Sequence, residues 1–343
     1  MRTELAMSNA KPSPPAGAQR RNPVSRLRYA LFERRRLSRY IRENWTDLID
    51  ASAGRAGHNA VEQFHRLPVT DMPCPICGTD GISHAAVYPS NRAPFRDWVA
   101  YFCAGCGAGF VPDSHRLLGD YYAANYAKDY APDRLEPPET YFKGTNTPAH
   151  LRRVRRAESQ LSALKKSNAR LDRVLDYGSG AGLFLHLCKP KEAFAIEADA
   201  AAHKHLDYLG ATRITPTNLE KMSFDVILAS HVLEHFPAFD LLPTVRQMLA
   251  ALAPGGQLLI EVPQAGHSYL RLDSPNDPHA VFFSAQGLFA LIERAGGEVV
   301  TSFARVKREA PLRDDPIYVP HEADSFFRTR GGGLTVIAKG PRG

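Results

Sequence analysis

An apolar run, an acid, three alternate glycines and a second apolar run follow one another at Val174-Leu175-Asp176-Tyr177-Gly178-Ser179-Gly180-Ala181-Gly182-Leu183-Phe184. This order reads as strand, loop and helix start. Glycine has no Cβ and tolerates positive φ, so such a loop lets backbone approach a ligand where any side chain would collide. A dinucleotide-binding loop also begins G-x-G, but its last glycine would fall on Leu183. Asp176, two positions before the first glycine, points elsewhere. A carboxylate at the end of that strand would repel a pyrophosphate, yet it suits a ligand carrying a cationic sulfonium and an ammonium.

The residues that follow extend the pattern. Ala193-Phe194-Ala195-Ile196-Glu197 reads as a second strand ending in an acid, and an acid there accepts hydrogen bonds from ribose hydroxyls in nucleotide-binding βαβ units. Phe224-Asp225-Val226-Ile227-Leu228-Ala229-Ser230-His231-Val232-Leu233-Glu234-His235 reads as a fourth strand running into a polar loop. Leu252-Ala253-Pro254-Gly255-Gly256 reads as a helix end and turn, and Gln257 to Pro263 as a fifth strand. Strands are expected at 172–177, 193–197, 212–215, 225–230, 257–262, 298–305 and 333–338, after a charged helix at 149–166. Strands alternating with helices make an α/β doubly wound sheet.

The succession D-x-G-x-G-x-G, strand-end acid, F-D-V-I-x-x-x-x-V-L-E-H and L-x-P-G-G resembles the class I S-adenosylmethionine-dependent methyltransferases over residues 150–343. The resemblance implies a seven-stranded sheet with its last strand antiparallel, and S-adenosyl-L-methionine held at the carboxyl ends of the first strands. It places the amino-acid half of that donor on Asp176, Gly178, Gly180 and Gly182, and the ribose on Glu197. Asn218 is a weaker candidate for the adenine. Ser230 and His231 stand where donor and acceptor would meet, and His235 reads equally well as structural. His279, just before a helix capped by Ser284, is either a general base or a structural histidine. Asp199 reads as a helix N-cap.

Four of the five cysteines fall in two knuckles, Cys74-Pro75-Ile76-Cys77-Gly78 and Cys103-Ala104-Gly105-Cys106-Gly107, with 25 residues between Cys77 and Cys103. Two C-x-x-C-G turns present four thiolates to one point, the donor set of a closed tetrahedral Zn²⁺ site, structural because no position stays open. Such a metal is worth about 10 kcal/mol or more to a module too small to fold by burial alone. Cys188 reads as a core cysteine in the helix after the glycine loop.

Charge is distributed unevenly. Residues 1–42 hold 11 Lys/Arg against 2 Asp/Glu, a local +9, so a chain whose total is +7 has a slightly acidic remainder. Five segments follow: a basic disordered tail at 1–23, an amphipathic helix and linker at 24–70, the cysteine module at 71–113, an aromatic and proline-rich linker at 114–149, and the sheet domain at 150–343. In the second, Leu27, Leu31, Leu37, Ile41, Trp45 and Leu48 oppose six arginines at near-helical spacing. Such a helix packs on protein, lies on an anionic membrane surface at 24–50, or grips nucleic-acid phosphates through 1–42. Transit-peptide character is a further reading. No apolar run reaches the ~18–20 residues that cross a bilayer, and no signal-peptide core follows the start, so a cytoplasmic protein, open to peripheral membrane contact, is expected.

The cysteine module, the sheet and His279-Ala280-Val281-Phe282-Phe283-Ser284 together resemble bacterial methyltransferases acting on nucleotide-linked sugars and related glycan precursors. Where the sugar C-methyltransferases among them carry Glu-His before Phe-Ser, this chain has Pro278-His279, and it ends after the seventh strand without their further domain. Both departures point away from C-methylation and leave O-methylation of a sugar open. Two other functions compete: an RNA methyltransferase using the cysteine module and basic arm, and a non-catalytic zinc-dependent scaffold. The intact glycine loop and Glu197 speak against the scaffold.

Overall fold

The computed structural model of the chain describes residues 72–80, 82–87, 98–103, 105–112, 114, 131–144, 147–263, 279–306, 317–320 and 333–340, all within one compact unit, Glu62–Gly343. The expected basic tail, the amphipathic helix and Tyr121 to Tyr130 of the linker lie outside the described residues. In chain order the elements are β1 (Ile82–Val87), β2 (Val99–Cys103), β3 (Gly109–Phe110), α1 (Pro138–Gly144), α2 (Pro148–Lys166), β4 (Arg173–Tyr177), α3 (Leu183–Cys188), β5 (Glu192–Ile196) and α4 (Ala200–Tyr208). There follow β6 (Thr212–Arg213), β7 (Phe224–Ser230), α5 (Leu241–Ala250), β8 (Leu252–Pro263), β9 (Val281–Phe282), α6 (Ala285–Arg294), β10 (Glu298–Val306), β11 (Ile317–Pro320) and β12 (Gly333–Lys339).

The large sheet runs β11-β10-β12-β8-β7-β4-β5-β6. From β6 to β8 neighbours are parallel, while β12 lies antiparallel to both β8 and β10. This is the expected seven-stranded arrangement with its last strand reversed, extended at one edge by β11. No strand was expected at Ile317–Pro320, a short stretch bracketed by Pro316 and Pro320.

Alternation of side chains along each strand fills two layers. Val174, Ala195, Val226, Leu228 and Leu259 pack with Leu164 of α2, Phe184 of α3 and Leu206 of α4. Their neighbours Leu175, Phe194, Ile227, Ala229, Leu258 and Ile260 face the other way, onto Met248 of α5 and Leu288 and Leu291 of α6. Strands apolar on both faces are what a parallel sheet between two helix layers requires. Cys188 is partly buried against the first of these layers, and burial pushes its thiol up to about 11.

Two boundaries differ from expectation. Strand β8 begins at Leu252, ahead of the Pro-Gly-Gly turn, because the turn is looped out of a continuing ladder. Its partners jump from Phe224↔Leu252 to Val226↔Gln257. Gly255 has φ +76, and a Cβ on Gly256 would stand 2.8 Å from the carbonyl oxygen of Phe224, so glycine is required by conformation at one position and by contact at the other. Strand β6 stops at Arg213, since Thr215 turns into a 3-10 segment closed by a capping box with Asn218.

The smaller sheet has order β1-β2-β3-β9. Its fourth strand, Val281–Phe282, comes from the sheet-domain half of the sequence and pairs antiparallel with β3. A two-residue strand gives no period to read.

Candidate functional site

The glycine loop lies at the carboxyl end of β4, between that strand and α3. Gly178, Gly180 and Gly182 all have positive φ, at +74, +54 and +75. A Cβ at Gly178 would stand 2.5 Å from Val232 Cγ2, and one at Gly182 2.9 Å from Leu206 Cδ2. These contacts bring the loop against the end of β7 on one side and against α4 on the other. Asp176, 4% exposed, sits where β4 ends, and burial, with Glu197 adding repulsion, pushes its carboxyl up to about 8. A carboxyl in that state is poised to ionise beside a cation.

Glu197 closes the loop from below. Its carboxylate accepts from the backbone N–H of Gly180 and, at 2.8 Å, from that of Asp199. Asp199 is the N-cap of α4, accepting from the N–H of Ala201 at 3.0 Å, and it also takes a 3.0 Å ion pair from Arg134. Arg134, in a 3-10 turn at Pro132–Leu135, lies over Gly180, where an added Cβ would meet its Nη2 at 2.6 Å. The same turn is tied to α4 by Lys204 Nζ donating to the carbonyl of Leu135 at 2.8 Å. Asn218 stands apart in role: its Oδ1 accepts from both the N–H and the hydroxyl of Thr215 in an exposed capping box.

On the other side of the loop, β7 and β8 end side by side. Ser230 accepts from Gln160 of α2 at 2.7 Å, and Gln160 also donates to Glu261 at 2.8 Å. His231, with φ +53, places its ring between two sealed carboxylates, Nδ1 3.3 Å from Glu234 and Nε2 3.5 Å from Glu261. Arg156 adds a contact to Glu261 at 3.6 Å. Burial alone would raise Glu261, but His231, Arg156 and Gln160 outweigh it and hold the carboxyl low. Glu234 is likewise held low against its burial by His231, His235 and His279. His279 packs edge-on against His235, ring centroids 4.8 Å apart, and its own burial, with His235 beside it, drives its imidazole down to about 3. The structure thus places Ser230 and His231 at the end of β7 and brings His279, Gln160, Glu234 and Glu261 to the same cluster. Two of these left a trace in the sequence. Gln160 interrupts the buried stripe of α2 between Ala157 and Leu164, and Glu261 interrupts an apolar strand. A polar residue on a buried stripe needs a partner.

The four knuckle cysteines converge. Cys74 and Cys106 sulfurs are 3.9 Å apart, those of Cys77 and Cys103 are 3.6 Å apart, and all four lie within 4.8 Å of one another. Sulfurs bonded to Zn²⁺ at about 2.3 Å in a tetrahedron would be about 3.8 Å apart, so the set fits zinc. None of the four is in a disulfide. Contact with Cys106 draws Cys74 down to about 5, and the same contact pushes Cys106 up, so these two thiols do not both ionise without a cation between them. The knuckles rest on α6. Ser284, its N-cap, accepts from Gly287 N–H at 2.8 Å and donates to the carbonyl of Cys106, and Arg294 donates to the carbonyls of Pro75 and Ile76 at 2.9 and 2.7 Å.

Residues 149–302 match the family described as a methyltransferase domain. No curated protein sequence matches the chain. Among solved structures, the magnesium protoporphyrin IX methyltransferase of Synechocystis PCC 6803 with bound S-adenosylhomocysteine is 13% identical, covering 66% of this chain and 99% of its own, with a TM-score of 0.43. A possible histamine N-methyltransferase from Thermotoga maritima is 18% identical over 53% of this chain and 88% of its own, TM-score 0.40. A S-adenosylmethionine-dependent methyltransferase from Archaeoglobus fulgidus is 17% identical over 53% of this chain and 94% of its own, TM-score 0.40. Likenesses this distant say nothing about the acceptor.

Proposed function

We propose that this chain, an S-adenosylmethionine-dependent methyltransferase, delivers its methyl group to a hydroxyl of a small-molecule acceptor of the sugar or glycan-precursor class. The observation that carries the reading is His231, held between the buried carboxylates of Glu234 and Glu261 at a strand end adjoining the donor loop. When the ring turns its Nε2 from Glu261 toward the acceptor, that nitrogen can take a proton from a hydroxyl nucleophile, and Glu234 at Nδ1 stabilises the imidazolium that results. His279 is the second candidate base, and its contact with His235 ties it to the same cluster.

Bound S-adenosyl-L-methionine supplies an electrophilic methyl carbon on a sulfonium leaving group. The chain's task is alignment and proton removal. Asp176 faces the cationic amino-acid half, with Gly178, Gly180 and Gly182 admitting it to the backbone. Glu197 turns from the loop N–H groups to the ribose hydroxyls, and Ser230 borders the donor. Cys74, Cys77, Cys103 and Cys106 hold a structural zinc ion that fixes the knuckles on α6.

Calorimetric titration of zinc-loaded protein with S-adenosylhomocysteine, wild type beside Asp176→Ala, tests the donor site; binding equal in both proteins would sink the assignment of Asp176. Methyl transfer from labelled donor is then screened against nucleotide-linked sugars and against ribosomal RNA, with and without residues 1–42. Transfer to a sugar that survives loss of the arm is expected. Transfer to RNA alone, with steep salt dependence that vanishes with the arm, would replace the sugar reading.

A further inference from the structure

A second group of metal-ligand side chains stands beside the donor loop, separate from the cysteines. Glu234, His235 and His279 each offer one ligand atom, all within 4.8 Å of one another. His235 Nε2 is 3.9 Å from Glu234 Oε1, the oxygen that His231 Nδ1 approaches at 3.3 Å. Glu234 is 1% exposed, and neither of its carboxylate oxygens makes a hydrogen bond among the described residues. A carboxylate sealed at that depth costs several kcal/mol unless a cation answers it.

The backbone holds this group in register. Glu234 and His235 occupy the 3-10 turn Leu233–His235 that follows β7. The N–H of Ala280 donates to the carbonyl of Glu234 at 2.7 Å, and its carbonyl accepts from Val111 at 2.8 Å, which pins His279 above the turn from the cysteine module. Val232, at the start of the segment, is the residue whose methyl group excludes a Cβ from Gly178. The cluster is thus built by two stretches of chain, the second braced by Val111, and adjoins the donor loop.

We propose that Glu234, His235 and His279 bind a divalent first-row transition cation. Two imidazoles and one carboxylate form a donor set suited to Zn²⁺, Mn²⁺ or Fe²⁺, unlike the four-thiolate set of the knuckles. Three protein ligands leave coordination positions open, and in a six-coordinate ion neighbouring positions accept two adjacent oxygens, such as vicinal hydroxyls of a sugar. A hydroxyl bound there has its pKa lowered, which eases the proton removal assigned to His231. This use of the ion rests on the sugar reading; the binding of the ion does not.

The test is a titration of the full, zinc-loaded chain with Co²⁺, acceptor absent, followed by visible absorption. One Co²⁺ per chain with the weak ligand-field bands of nitrogen and oxygen ligands, free of thiolate charge-transfer absorption, is expected. Glu234→Gln and His279→Ala should each weaken that binding by about 100-fold or more, beyond what loss of an outer-shell partner costs. Circular dichroism and S-adenosylhomocysteine binding report whether each variant is folded. A wild-type protein that takes up no cobalt, or only thiolate-bound cobalt, overturns the proposal whatever the variants do, and so does unchanged affinity in both folded variants. Cobalt bound as expected with no sugar methylated would sink the acceptor reading alone, whereas sugar methylated with no cobalt site would sink the metal alone.

Discussion

A carboxyl group sealed at the end of β4 beside a second carboxylate has little reason to ionise until a cation arrives. With its pKa raised to about 8 by burial and by Glu197, Asp176 is mostly protonated in the free protein at neutral pH. A bound sulfonium and ammonium favour the ionised form, so donor binding releases a proton below about pH 8 and tightens as pH rises toward that value. Asp176→Asn should flatten this pH dependence and weaken binding roughly 10- to 100-fold, the loss of one charge-assisted contact. Titrations in buffers of different ionisation enthalpy read the proton directly; no proton release in wild type would refute the linkage. Gly178→Ala tests the loop without touching charge. At φ +74, with Val232 Cγ2 only 2.5 Å from the new Cβ, it should cost about 1–3 kcal/mol in denaturant melts and weaken donor binding with it.

Among elements, α6 carries consequences its sequence did not advertise. Its N-cap serine was legible from the residue type and the apolar run that follows, and the structure bears it out. That the same hydroxyl also donates to the carbonyl of Cys106, some 178 residues earlier, was not legible. Local patterns encode local bonds, whereas a contact across that separation depends on how two layers stack. Ser284→Ala therefore removes a cap and a tether together, an expected loss of about 1–3 kcal/mol. Arg294→Ala removes the two bonds at the other end of the helix and spares the cap. Each variant should lower the melting temperature, and both should loosen zinc, read as faster metal release to a chelating dye. Retention of zinc at the wild-type rate in both would show the knuckles to be independent of α6.

For the molecule as a whole, the cysteine module is built together with the sheet domain, since β9, two residues after His279, is the fourth strand of the small sheet. Stripping the zinc proposed for the knuckles should abolish methyl transfer while donor binding, proposed at the ends of β4 and β5, largely persists; transfer that survives intact would uncouple the two. The sequence by itself determined the alternation of strands and helices, the positive-φ glycine loop, the acids at the ends of β4 and β5 and the two cysteine knuckles. Each of these is written in periodicity, in glycine's freedom or in short fixed spacing, which the chain carries wherever it folds. Only the tertiary structure decided that Gln160, Glu234, Glu261 and His279 meet around His231, and that Val281–Phe282 completes a sheet begun some 200 residues before. Those meetings depend on which strand ends lie side by side and on what the burial of a carboxylate demands of its neighbours, and neither is written in any one segment.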